Sequence, residues 1–96
     1  MNSNELEIQY SKRATRFLDN NAEIITKERA DLLVFSAVKK LLKIENNNID
    51  LLQLHGQPKG TFRVKTGRIR IIFTLEKEII YIAFVDDVAF RKDVYR

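Results

Sequence analysis

Between Thr61 and Phe73 apolar and basic side chains alternate around a single glycine: Phe62, Val64, Ile69, Ile71 and Phe73 interleave with Arg63, Lys65, Arg68 and Arg70. Successive side chains on a strand point to opposite faces, so a hairpin turning at Thr66-Gly67 gathers the apolar set on one face and the cations on the other. A slip of one residue would drive arginine into the core, which pins the parity of the pairing. With those two residues as the loop, Lys65 opposes Arg68, Val64 opposes Ile69, Arg63 opposes Arg70 and Phe62 opposes Ile71. Like charges directly across a sheet repel. Two opposed basic pairs therefore point to an anion, such as a phosphate, that completes the face; a solvated basic surface is the alternative.

The rest of the chain supplies a frame for this hairpin. A third strand, Glu78 to Val85, follows a turn at Glu76-Lys77. In that register Ile80, Ile82 and Phe84 face the core, while Tyr81 and Ala83 fall beside Ile72 and Arg70 on the basic face; a turn one residue longer inverts this parity. Near the start, Leu6, Ile8 and Tyr10 alternate with Glu5, Glu7 and Gln9 as in a half-buried strand. Ser11 caps a short helix with Ala14, Phe17 and Leu18 on one side, ended by Asp19-Asn20-Asn21. Asn20 and Glu23 resemble a capping box that opens a second helix, on which Ala30, Leu33, Val34, Ala37, Val38 and Leu41 recur at spacings of three and four. A second apolar row, Ile25, Leu32, Phe35 and Leu42, implies that this helix is buried on more than one side or covered by a partner. Asn46-Asn47-Asn48 and His55 to Gly60 read as loops. Ile49 to Leu54, between them, is too short to assign. The expected fold is α+β: an N-terminal strand and two helices packed on one face of a mostly antiparallel four-stranded sheet, in one domain spanning 1–96.

Charge follows the same division. The 96 residues carry 17 Lys+Arg against 13 Asp+Glu, a formal charge of +4. Residues 1–54 are balanced, so the whole excess lies in the last 42, where Lys59, Arg63, Lys65, Arg68 and Arg70 occur with no acid between Asp50 and Glu76. Such an unbalanced stretch is the footprint expected for a polyanion ligand, with Lys59, Arg68 and Tyr81 as candidate RNA contacts. Near the C-terminal end Arg91 and Tyr95, four residues apart, share a side whether that segment is helical or extended. Together they can stack on a nucleotide and clamp its phosphate; alternatively Tyr95 closes the core edge and Arg91 pairs with Asp87 or Asp93.

Several chemistries are excluded or disfavoured. The chain has no cysteine and only His55, which rules out disulfides, thiolate zinc sites and two-imidazole acid–base cleavage of RNA. The glycines at 56, 60 and 67 form no phosphate-loop fingerprint, and no converging carboxylates suggest a metal; no cofactor is expected. The longest apolar run, Ile79 to Val85, is far too short to span a bilayer, and no signal peptide is evident, so a cytoplasmic protein is expected. What remains is phosphoryl chemistry run by cations. Arg63, Arg70 and Arg91 can stabilise charge on a pentacovalent phosphate. Crowding by Arg63 and Arg68 moves Lys65 toward use as a proton acceptor, and Tyr95 can donate a proton or stack.

Taken together, the segment Tyr10 to Leu18, the Leu54-His55-Gly56 turn, the run Thr61 to Phe73 and the ending Phe90-Arg91-Lys92-Asp93-Val94-Tyr95 resemble the RelE/ParE superfamily of toxins from toxin–antitoxin pairs. The resemblance implies a cognate antitoxin that masks the basic face. In the RelE-like branch it implies metal-independent cleavage of mRNA on the ribosome by attack of the 2′-hydroxyl, with Arg63, Lys65, Arg70, Arg91 and Tyr95 at the positions of the family's catalytic residues. Ala89 and Phe90 depart from the pattern, standing where some members carry a basic residue and many a histidine. The ParE-like branch, which targets DNA gyrase without nuclease activity, is the alternative. A non-toxic RNA-binding or interaction module is a second.

Overall fold

The computed structural model describes residues 1–91. It begins with a single 3-10 turn, Ser3–Glu5, closed by a reciprocal cap in which the Asn2 side chain accepts from the Asn4 amide and Glu5 accepts from the Asn2 amide. Strand β1 (Leu6–Tyr10) follows, with Leu6 buried and Ile8 and Tyr10 half-buried on the same side, as the alternation predicts. Ser11 then caps α1 (Lys12–Asn20): its Oγ accepts from the Ala14 amide at 3.0 Å, satisfying a first-turn donor that has no helical partner. Ala14 and Leu18 are buried.

The second helix, α2 (Lys27–Leu41), starts later than the Asn20/Glu23 spacing predicts. Asn20 is the last residue of α1, and the side chain of Asn21 closes that helix by donating to the Phe17 carbonyl, so neither asparagine is free to open a new one. Thr26 takes the role instead, accepting from the Arg29 amide at 3.1 Å with Glu28 in the first turn. The main apolar stripe lies where its periodicity places it: Ala30, Leu33, Val34, Ala37 and Val38 are all buried. The second row divides. Ile25 is buried ahead of the helix and Phe35 and Leu42 are half-buried, but Leu32 is 59% exposed.

Beyond α2, the side chain of Asn47 donates to the Ser36 carbonyl and accepts from the Ile49 amide, which turns the chain back onto the sheet. There the unassigned stretch forms a fifth strand, β2 (Asp50–Gln53), antiparallel to β3 (Thr61–Thr66). β4 (Ile69–Lys77) and β5 (Tyr81–Phe90) complete the sheet in the order β1-β5-β4-β3-β2. The β1–β5 pairing is parallel and the others are antiparallel. The fold is thus α+β with two helices on a mixed sheet of five strands rather than four. Strand β2 adds one strand that alternation could not show, because two of its four side chains are apolar and adjacent.

The core lies between the helices and one sheet face, where Val64, Ile71, Phe73, Ala83, Val85 and Val88 are almost wholly buried. Each fully buried aliphatic or aromatic side chain contributes roughly 1.5–3 kcal/mol relative to exposure. Gly60 fits this packing tightly, with φ +84° and its amide neighbour on β4 close by: a Cβ there would stand 3.0 Å from the Leu75 carbonyl oxygen. Among the described residues no helix is long and apolar enough to cross a membrane.

Candidate functional site

The hairpin keeps the predicted parity but not the predicted pairs. Thr66 opposes Ile69, Lys65 opposes Arg70, Val64 opposes Ile71 and Arg63 opposes Ile72. The loop is therefore Gly67-Arg68. Gly67 has φ +54° and Arg68 does not share a positive φ, the pattern of a II′ turn with glycine first. A loop of Thr66-Gly67 would have forced β-branched Thr66 into that left-handed region, which is strained. Moving the loop by one residue shifts the pairing by a whole period of two, so both faces keep their residues. Neither expected basic pair forms: a single different one, Lys65 with Arg70, stands in their place, and Arg63 lies diagonal to Arg70.

Strand β5 inverts the expected parity because its connection is three residues, Glu78 to Ile80, closed by a bond from the Glu78 amide to the Ile80 carbonyl. Ala83 and Val85 consequently enter the core. Tyr81 shares their side, opposite Lys77, whose ammonium sits 4.3 Å from its ring centroid. The structure therefore separates Tyr81 from the basic face. A bulge where β4 passes from Ile72 to Phe73 then changes the β5 register, bringing Asp87 opposite Ile72 and Ala89 opposite Arg70. A small residue does stand beside Arg70, but it is Ala89 rather than Ala83.

Carboxylates from outside the basic stretch converge on these cations. Arg63 Nη2 donates to Asp50 Oδ1 at 3.1 Å, and Arg70 Nη2 donates to Asp87 Oδ2 at 3.0 Å. The other oxygen of Asp87 lies 3.3 Å from Nε of Arg13, which reaches it from α1. Alongside, Thr74 donates to Asp86 at 2.9 Å, and the Thr61 hydroxyl lies 3.0 Å from that of Thr74 and 2.7 Å from the Pro58 carbonyl. Arg13, Arg63, Arg70, Thr61, Asp86 and Asp87 line a cleft of about 560 Å³ together with Leu54, Gln57 and Pro58.

Two arginine donors beside this cleft are unsatisfied. The Nε atoms of Arg63 and Arg70 are buried and have no hydrogen-bond partner among the described residues. Leaving a buried donor unpaired costs about 1–3 kcal/mol, more when charged.

The remaining candidates are distributed around this centre. Lys65, in register with Arg70, lines a separate cavity of about 310 Å³ together with Arg29, Asn48 and Asp50. Arg91 is exposed at the end of β5. Its amide donates to the Arg68 carbonyl at 2.7 Å and its Nη1 to the Gly67 carbonyl at 3.1 Å, so it is tied to the hairpin turn and not to Asp87. Arg68 lies over the Phe90 ring at 5.4 Å, and Lys59 is exposed in the loop before β3. Tyr95 lies outside the described residues. Arg13, Asp50 and Asp87 were not among the predicted site residues; Asp87 was weighed only as a partner of Arg91, although consecutive aspartates inside an apolar strand were an available signal for it. Among the described residues no group of three His, Asp or Glu side chains is arranged to hold a metal.

Outside the cleft, the Tyr10 hydroxyl donates to Asp31 at 2.6 Å. Burial first, then this bond and the negative charge of Asp31, push the phenol well above its ordinary range.

Comparison with protein-family models gives no match, and comparison with curated proteins gives none either. Solved structures do match. The chain is similar to one in the crystal structure of the RelB-RelE antitoxin-toxin complex from Methanococcus jannaschii, with a TM-score of 0.53 and 16% identity over 91% of this chain and 94% of that one. It is also similar to a YafQ mutant from E. coli, with a TM-score of 0.59 and 11% identity over 94% of this chain and 98% of the other. Over nearly its whole length the chain shares the fold of these two structures.

Proposed function

We propose that this protein is the toxin of a toxin–antitoxin pair and acts as a metal-independent endoribonuclease on ribosome-bound mRNA, arresting translation. The observation that carries this reading is the convergence of three arginines, Arg13, Arg63 and Arg70, on one open cleft. Two guanidinium groups held diagonally across a rigid hairpin are suited to a phosphate, whose oxygens accept from both.

In the proposed reaction the 2′-hydroxyl attacks the adjacent phosphorus while Lys65 takes its proton. The P–O5′ bond breaks, leaving a 2′,3′-cyclic phosphate and a 5′-hydroxyl. Arg63 and Arg70 neutralise the charge that develops on the phosphoryl oxygens, and Arg91 supports it from the hairpin turn. Tyr95 stacks on a base or supplies the leaving-group proton. Lys59 and Arg68 contact flanking RNA backbone. The likeness to a chain of an antitoxin-toxin complex supports a cognate antitoxin as partner.

The decisive assay incubates the purified protein with programmed ribosomes and maps cleavage of the bound mRNA. Cleavage by the wild type, lost in Arg70→Ala, is the expected result. Intact mRNA together with inhibited gyrase supercoiling would overturn the assignment.

A further inference from the structure

One member of the cleft comes from neither strand of the hairpin. Arg13 is the second residue of α1, and its side chain, 73% exposed, meets a carboxylate that is only 15% exposed. Asp87 places one oxygen on Arg13 and the other on Arg70, itself 15% exposed. The backbone makes this possible: the bulge on β5 presents Asp86 and Asp87 in succession, the first to Thr74 and the second to the two arginines. Ser11, just ahead of α1, hydrogen-bonds through its amide to the Val85 carbonyl and through its hydroxyl to the Asp86 carbonyl. The helix start is thus fastened to the bulge itself, and Arg13 is held to the cleft by the backbone as well as by charge.

A structural ion pair of this kind needs one cation. Here Arg13 is a second cation on the same carboxylate, and unlike Arg70 its side chain stays 73% exposed at the cleft. A cation that stays largely in solvent and shares its carboxylate with another is available to an anion arriving from solvent. Asp87 meanwhile prevents the two guanidinium groups from repelling each other apart. It bonds Arg70 through Nη2.

We propose that Asp87 is a positioning residue which orients Arg13 and Arg70 for catalysis, and that Arg13 is a further phosphate contact for an RNA strand crossing this face. This rests on the nuclease reading above and extends it to a neighbouring phosphate. Arg13 marks the direction in which the strand leaves the cleft, past α1.

The test uses a short single-stranded RNA made uncleavable by 2′-O-methyl groups, its binding followed by fluorescence anisotropy across a salt series. Arg13→Ala is expected to weaken binding several-fold and to lower the log–log salt slope by about 0.7, the loss of one phosphate contact on a single strand. Lys43→Asn removes the same unit charge from an exposed site after α2 and is expected to change the slope less. Asp87→Asn is expected to lower kcat for ribosome-bound mRNA about tenfold while binding the oligonucleotide as tightly as wild type or tighter. A merely structural role would weaken both.

An unchanged slope in Arg13→Ala, or an Asp87→Asn variant that cuts as fast as wild type or faster, overturns the clamp. A wild type that binds the oligonucleotide but never cuts ribosome-bound mRNA overturns the nuclease reading instead, and the slope then judges Arg13 alone. A wild type that does not bind it overturns both.

Discussion

Arg63 and Arg70 occupy neighbouring strands of one face and are almost equally withdrawn from water, with 13% and 15% of their side chains exposed, yet their counter-ions are unlike. Asp50 begins the edge strand β2, is 59% exposed and meets one guanidinium. Asp87 lies on an inner strand, is 15% exposed and meets two. The first is close to a surface pair, in which water competes for the carboxylate and salt screens the attraction. The second is largely dry, where removal of one partner strands the other. One face of one hairpin therefore holds an arginine that solvent can free and an arginine that the protein holds fast. Both keep a buried, unpartnered Nε, so they differ in how their terminal nitrogens are anchored.

The largest expected effect comes from removing the guanidinium groups themselves. Arg63→Ala and Arg70→Ala should each lower the rate of mRNA cleavage by roughly 100- to 1,000-fold, the range for deleting one oxyanion-stabilising donor. Single-turnover rates on ribosomes programmed with one message provide the measurement. If Arg63→Ala cuts normally while Arg70→Ala does not, the anchored arginine alone stabilises the phosphate, and the proposed symmetry of the two is broken.

Stability should separate the counter-ions more clearly than activity does. Asp87→Ala leaves Arg70 and Arg13 without their shared anion, and a loss of about 2–3 kcal/mol is expected, below the full buried-pair cost because some solvent reaches the site. Asp50→Ala should cost less than about 1 kcal/mol. Urea unfolding with a common m-value gives both numbers. Equal losses would mean that the difference in exposure carries no energetic weight.

The same contrast explains what could be read from sequence. The parity of Phe62 to Phe73 assigns each side chain to a face correctly, because misplacing one arginine in the core is too costly to allow a slip of one. A slip of two costs nothing in parity, so alternation cannot detect it, and the pairs were displaced until the φ +54° of Gly67 located the turn. Gly67→Ala, which meets no neighbour within 4 Å, should therefore cost roughly 1 kcal/mol through backbone strain alone, measurable by thermal unfolding. The stripe of α2 was legible for a similar reason: five residues at spacings of three and four end up buried together. Strand β2, the bulge and the partners of the arginines were not. Each depends on contacts between residues far apart in sequence, Asp50 with Arg63 across 13 positions and Arg13 with Asp87 across 74. A local count of charge sees a basic stretch without acids and cannot see that its acids arrive from β2 and β5.

A third carboxylate offers the smallest effect and the cleanest control. Asp31 accepts from the neutral hydroxyl of Tyr10 at 2.6 Å and lies 3.3 Å from Lys27, on an α2 surface separate from the cleft. Because burial and Asp31 raise the folded-state pKa of Tyr10 above its unfolded value of about 10, the linked stabilisation is fully present below that pH. It is lost as the pH rises beyond it, since the unfolded chain then releases the phenolic proton more readily. Tyr10→Phe should thus be less stable than wild type at neutral pH by about 1 kcal/mol, the worth of the bond, with the gap narrowing above pH ~10. Urea titrations of both proteins at neutral and alkaline pH measure the gap directly, and taking the difference cancels the other titrating groups. A gap that stays constant into the alkaline range would show that Tyr10 stabilises through its ring packing and not through its proton. In that case a carboxylate bound by a neutral donor cannot serve as the reference against which the arginine-bound Asp50 and Asp87 are compared.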